Sequence, residues 1–309
     1  MKNHFLYLKS HFREDFHLWI YLFTGLYLAA AIFFNYNIIN LESTVINKYY
    51  GQNIRIVYYF LLYAAGFYPV VYLNYYFRSK PFKLDRKFWL FSLSGLFIIS
   101  LDAGSHHFND LYLFFPEQIK YFIFKIISNG RSILTVFLPL IIFKYYFDKK
   151  PNDFYGLNLD TKHFSSYFLM LGIMAPLIVW ASFQDDFREA YPVYTDYGAH
   201  NFLEIPEWIN ILIFEFFYGI DFVFTELLFR GYFVIGMAAV LGKDAILPMV
   251  STYAFLHFGK PAAETFGSIA GGYILGVFAF YSRNIWGGIF IHLGIAWLME
   301  AAAFFTRNY

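Results

Sequence analysis

The 309-residue chain contains no cysteine. That absence removes disulfides, thiolate metal ligands, thiol nucleophiles and c-type haem attachment from consideration. Charge is scarce too: Asp, Glu, Lys and Arg together make up 15% of the residues, and the formal net charge is +1. Such a balance offers no electrostatic footprint for nucleic acid, so no nucleic-acid partner is expected. Apolar and aromatic residues fill the space, at 59% hydrophobic with 42 Phe and 28 Tyr. Ordinary soluble domains are about 45–50% apolar. This chain has too little polar surface to cover a water-soluble globule of its size.

The apolar residues fall in runs of spanning length. A charged lead-in (Lys2, Lys9, Arg13, Glu14, Asp15) precedes an uncharged run from Phe16 to Leu41. That run is too long for a signal-peptide core and reads as a retained first span. Further runs cover 56–77, 88–104, 132–147, 164–183, 208–241, 245–258, 265–282 and 285–306. The 208–241 run exceeds one straight span, which predicts a bend near Gly231 or an extension beyond the bilayer. Nine helices of about 22 residues use about 200 positions, which suits the length. The expected fold is therefore all-α, a polytopic transmembrane helical bundle of about 8–9 membrane spans. Segments 1–17, 78–87 and 144–163 carry three, five and four Lys or Arg, against two, three and one in the intervening loops. The positive-inside rule then puts the N-terminus in the cytoplasm. Residues 1–163 form N-terminal spans without a recognised motif, and 164–309 form the C-terminal region. In the latter, glycines at 267, 271, 272 and 276 give two small-xxx-small spacings that let helices approach closely.

Charged side chains in mid-span cost about 2.5–3.5 kcal/mol on insertion scales, so they direct attention to function. Glu226 and Arg230 lie within the 208–241 run at i,i+4, on one helix face, with Gly219 and Glu215 further up nearly the same face. His257 ends the next run and His292 begins the last. Two imidazoles and a carboxylate from three packed helices make a metal site or a water-activating site. A bound metal would yield a hydroxide nucleophile; otherwise the carboxylate acts as general base on held water. An internal ion pair and packing histidines are the plainer alternative. A second cluster, Asp102, His106, His107 and Asp110, stacks on one face if helical. It reads as a second metal site or proton relay, or as a solvated loop after a span ending near Gly104.

The motif Thr225-Glu226-Leu227-Leu228-Phe229-Arg230-Gly231, followed by Tyr253 to His257 and His292 to Ala296, resembles the CAAX-protease and bacteriocin-processing (CPBP) intramembrane proteases. That family carries Glu-Glu-x-x-x-Arg, Phe-x-x-x-His and His-x-x-x-Asn (or Asp) in this order. The resemblance covers about 205–305 and implies a metal- or glutamate-dependent intramembrane endopeptidase that cleaves a peptide bond near the membrane interface. Glu226, Arg230, His257 and His292 are its implied catalytic residues. A divalent metal such as zinc, held by His257, His292 and Glu226, is the implied cofactor. Two family positions depart: the water-activating first Glu is Thr225, and the third-motif Asn is Ala296. Thr225, Tyr253, Glu264 and Glu300 are the candidates to assist, with Glu264 brought back by the Gly-Lys-Pro break at 259–261. The expected partners are membrane lipid and a membrane-associated peptide or protein, and the expected location is the bacterial inner (cytoplasmic) membrane. The alternatives are an inactive membrane scaffold of the same fold, or a proton-coupled transporter using the Asp102 cluster.

Overall fold

The computed structural model describes residues 2–78, 82–106, 108–149, 154–158, 165–195 and 198–306. His107 and the 163/164 boundary lie outside them. Among the described residues there is helix and turn but no strand. An amphipathic α1 (Lys2–Asp15) leads into α2 (Leu18–Phe34), which continues as a π-turn over Asn35–Ile39. Next come α3 (Ile54–Phe77), α4 (Arg86–Gly104) and α5 (Glu117–Gly130), the last running through π-turns and α6 (Leu138–Phe143) to Asp148. The C-terminal region holds α7 (Ser165–Ala181), α8 (Glu207–Glu226), α9 (Ile246–Leu256), α10 (Ala262–Ser282) and α11 (Trp286–Thr306).

Among the described residues, seven helical stretches are long and apolar enough to cross a membrane. One of them, Glu207–Leu256, is 50 residues long. It is divided where Gly242 takes φ 58°, a backbone that favours glycine, ahead of a 3-10 turn over Gly242–Ala245. With that division and the shorter α7, the apolar helices number nine, which fits the expected bundle. The protein is an integral membrane protein. The 132–147 run proves longer than its hydropathy suggests, because Glu117–Gly130 is helical although Glu117, Lys120 and Lys125 interrupt its apolar stripe. Within 208–241, around Gly231, the helix is π-wound over ten residues, Leu227–Gly236.

Apolarity all round a helix signals burial, and it marks the centre of the bundle. Every residue of Leu227–Gly236 and of 246–255 is buried. The peripheral α2 instead buries only Ile20, Thr24, Leu28 and Ile32, at i,i+4 spacing, and turns Leu22, Phe23, Leu26 and Phe33 outward as a lipid-facing stripe. Small residues set the closest approaches. A Cβ at Gly66 would press on Thr252 and Phe255, and one at Gly276 would meet Met249 Cε at 2.7 Å. Of the two glycine pairs on α10, Gly272 and Gly276 face α9, while Gly267 and Gly271 face open space. Only one spacing is therefore a helix interface.

At the opposite end from His257, α1 is pinned by ion pairs. Arg78 Nη2 lies 2.6 Å from Asp15 and 2.8 Å from Asp244, and Lys243 Nζ lies 3.4 Å from Asp15. His11 is buried beside them between Tyr273 and Tyr281, with both ring nitrogens lacking a hydrogen-bond partner. Burial lowers its pKa below the ordinary 6.5; Lys243 and Arg78 push the same way, while Asp15 and Glu14 oppose them. A lowered histidine pKa means the unfolded segment binds the proton first. The docking of α1 is thus complete above the unfolded value and is lost as pH falls below it. Protease cleavage within α1 is expected to accelerate as pH drops below about 6.5 in the wild type and to stay flat in His11→Phe. An identical pH response in the variant would contradict this.

Candidate active site

Glu226 is the last residue of α8, at the junction with the π segment. Its side chain is fully buried. Such π segments occur often at functional sites, and here the widened turn still leaves Arg230 one turn below. Arg230 Nη1 is 2.8 Å from Glu226 Oε1, an ion pair with poor hydrogen-bond alignment. The guanidinium lies over the Tyr253 ring, 4.4 Å from its centroid, which adds cation–π attraction in a dry setting. From α11, His292 Nδ1 reaches the same carboxylate oxygen at 3.0 Å. Glu226 therefore binds a cation from its own helix and an imidazole 66 residues on.

Tyr253 joins the remaining histidine to this pair. Its hydroxyl is 3.4 Å from His292 Nε2, and its ring packs edge-on to His257 at 4.6 Å between centroids. His257 Nδ1 is 2.8 Å from the Tyr253 carbonyl. A carbonyl only accepts, so Nδ1 carries the proton and Nε2 of the neutral ring is an acceptor. The same logic gives His292 an Nδ1–H that donates to the Glu226 carboxylate and an Nε2 lone pair facing Tyr253. His257 lies 11 residues beyond the start of α9 and His292 six beyond the start of α11. At 1.5 Å per residue their depths differ by about 8 Å. Tyr253, one turn below His257, spans that gap.

The other candidates divide. Glu264 is at the start of α10, where its carboxylate accepts from Tyr191 Oη (3.2 Å) and pairs with Lys260 (3.7 Å). Glu300 is not brought to the site. Its two oxygens accept from the backbone N–H groups of Val193 and Tyr194 at 2.8 and 3.1 Å, which ties the 191–194 segment to α11. Thr225 is partly buried and absent from the hydrogen bonds around Glu226; Ala296 is buried and apolar. The second cluster does not stack on one helix face. Helix α4 ends at Gly104, so His106 follows outside it and Asp110 sits exposed in a 3-10 turn. Asp102 instead accepts from Thr135 Oγ1 at 2.5 Å and lies 3.8 Å from Arg131. Asp221, overlooked in the sequence because its single charge sits in an aromatic run, accepts from Ser132 and lies within electrostatic reach of Asp102 and Arg131.

For a resident metal the donor set falls short. Among the described residues no group of three or more His, Asp or Glu is placed to hold an ion, and catalytic zinc takes three protein ligands. Glu226 stands behind His292, spent on its Nδ1, rather than beside it. As placed, Glu226, His257 and His292 do not form a three-ligand zinc site.

These features define a polytopic membrane protein with a buried Glu–His–Arg cluster beside a second imidazole. Residues 205–298 match the family model described as Type II CAAX prenyl endopeptidase Rce1-like, which is consistent with the CPBP resemblance of the same segment. No curated protein and no solved structure matches the chain.

Gly288, one turn before His292, is a site residue that the sequence does not single out. A Cβ there would collide with Glu226 Oε2, which is buried without a hydrogen-bond partner. Gly288→Ala is expected to destabilise the protein by about 1–3 kcal/mol, the usual cost of overpacking, read as a lowered thermal midpoint in detergent. A midpoint equal to wild type would show that Glu226 is free to move.

Proposed function

We propose that this protein is a CAAX-protease-like endopeptidase that hydrolyses a peptide bond of a membrane-associated substrate with water activated by His292. The observation that carries the reading is the Glu226–His292 contact, because it leaves the Nε2 lone pair of a partly exposed imidazole free of the carboxylate and facing Tyr253 Oη, while Glu226 is sealed from solvent. In this reading His292 takes the proton from water as the water oxygen attacks the scissile carbonyl, then returns it to the leaving amine. Glu226 holds the ring in the Nδ1–H tautomer and stabilises the imidazolium, as a buried carboxylate does behind a catalytic histidine. Arg230 fixes Glu226. His257, an acceptor at Nε2, orients the same water, and Tyr253 Oη donates toward the developing oxyanion. The base role that Thr225 lacks thus passes to an imidazole.

The family match at 205–298 supports the reaction class. The proposed location is a bacterial inner membrane, and the positive-inside count favours an N-terminus in the cytoplasm. The substrate class proposed is a lipid-modified C-terminal peptide, whose lipid would lie among the outward apolar side chains. The scaffold alternative rests on Thr225 and Ala296, and turnover decides between the two.

Purified protein in lipid nanodiscs with a prenylated C-terminal peptide is expected to release the terminal fragment. His292→Ala and His257→Ala are each expected to lower kcat by about 10²–10⁴-fold, the range of a lost general base. Glu226→Gln is expected to fall likewise, with folding checked by thermal midpoint because it strands Arg230 in the interior. Equal turnover in wild type and all three variants would remove the proteolytic reading. Incubation with a strong zinc chelator is expected to leave wild-type turnover unchanged. Loss on chelation with recovery on zinc would put a metal where this reading has none.

A further inference from the structure

The turn that carries His257 is held from outside the matched segment. Helix α9 stops at Leu256, and the chain turns through 257–261 before α10 begins. Backbone carbonyls left without helix partners in such a turn are costly wherever they are buried, as at Phe258, and call for donors from neighbouring side chains. The donors come from the end of the first span. Asn35 is fully buried, and its Nδ2 donates to the Phe258 carbonyl at 3.0 Å while its Oδ1 accepts from the Leu41 N–H at 3.0 Å. The two partners fix the amide orientation, since one can only accept and the other only donate. Tyr36 Oη sits 3.0 Å from the His257 carbonyl, 2.7 Å from the Lys260 carbonyl and 2.6 Å from Thr265 Oγ1. Thr265 Oγ1 is itself 2.9 Å from the His257 carbonyl. Two hydroxyl protons thus serve two carbonyls, and both hydroxyls close on the residue that bears the imidazole. Below the turn, Glu42 packs so closely on Gly259 that a Cβ there would overlap its carboxylate, and Tyr59 Oη donates to Glu42 at 2.8 Å.

We infer that Asn35 and Tyr36 are positioning residues for His257: the π-turned end of the first span clamps the 257–260 carbonyls and so sets where the imidazole stands over Tyr253. His257 has only one side-chain hydrogen bond given by its own helix, from Nδ1 to the carbonyl one turn back. That bond fixes the tautomer. It leaves the height and tilt of the ring to the backbone, which the clamp holds. The catalytic part of the inference rests on the hydrolytic reading above; the structural part does not.

The test compares full-length wild type with Tyr36→Phe, which removes one hydroxyl and keeps the ring, in nanodiscs. Tyr27→Phe is the control, because Tyr27 Oη also bridges α2 to α3, at Ala65 O (2.6 Å), away from the turn. Diethyl pyrocarbonate modification is followed at each histidine by mass spectrometry. With the turn free to open locally, His257 in Tyr36→Phe is expected to react about threefold or more faster than in wild type or the control. His292 is expected to react at its wild-type rate. Unchanged reactivity of His257, or equal acceleration at both histidines, would overturn the clamp. Where the wild type cleaves the peptide, Tyr36→Phe is expected to lose about tenfold in kcat with KM little altered, the mark of a misplaced group rather than weakened binding. Wild-type kcat in Tyr36→Phe would confine the clamp to structure and overturn its positioning role. A wild type that cleaves nothing refutes the hydrolytic reading, while the modification rates still decide the clamp.

Discussion

A carboxylate sealed from water between a guanidinium and an imidazole is the constraint around which this bundle is built. A buried charge that loses its partner costs about 3–5 kcal/mol, so Glu226 and Arg230 hold α8 and its π segment in one rotation. His292 then fixes α11 against them. The packing follows suit: Gly288 lets α11 approach the carboxylate, and Gly272 lets α10 lie against Tyr253. Rings close the remaining space, with Phe222 on His292 at 4.5 Å and Phe229 on Tyr253 at 4.7 Å between centroids. Aromatic walls keep the local dielectric low, which strengthens every charge interaction inside.

Much of this is legible in the sequence because the bilayer punishes the wrong residue so heavily. Helical class and span positions follow from the apolar runs. Glu226, Arg230, His257 and His292 stand out as polar groups where polar groups are expensive. Local chemistry that competes with that signal is harder to read. Glu117–Gly130 hides its helix behind Glu117, Lys120 and Lys125. Asp102, His106 and Asp110 have helical spacing, yet α4 stops at Gly104 and the spacing is never used. Glu300 has the rarity of a functional acid, but its burial is repaid by two backbone N–H groups. Rarity marks a polar group as satisfied by something, without saying by what.

Asn35, Tyr36 and Gly288 escape a sequence reading for a related reason. Their importance lies in a partner more than 200 residues away, or in the absence of a side chain. An Asn-Tyr pair in a chain with 28 tyrosines carries no compositional signal. Only the fold shows that their donors meet the carbonyls of one exposed-backbone turn.

The brevity of α9 has a consequence for access to the histidines. Its eleven residues rise about 16 Å, roughly half of a hydrocarbon core of about 30 Å. Above Leu256 the column is completed by loop backbone and by the amides, hydroxyls and carboxylate of Asn40, Glu42, Ser43 and Asn47 beside Gly259 and Lys260. Gly259 and Lys260 are exposed at the top of that column. The chain therefore passes from solvent to His257 within two residues, without any pore through the bundle.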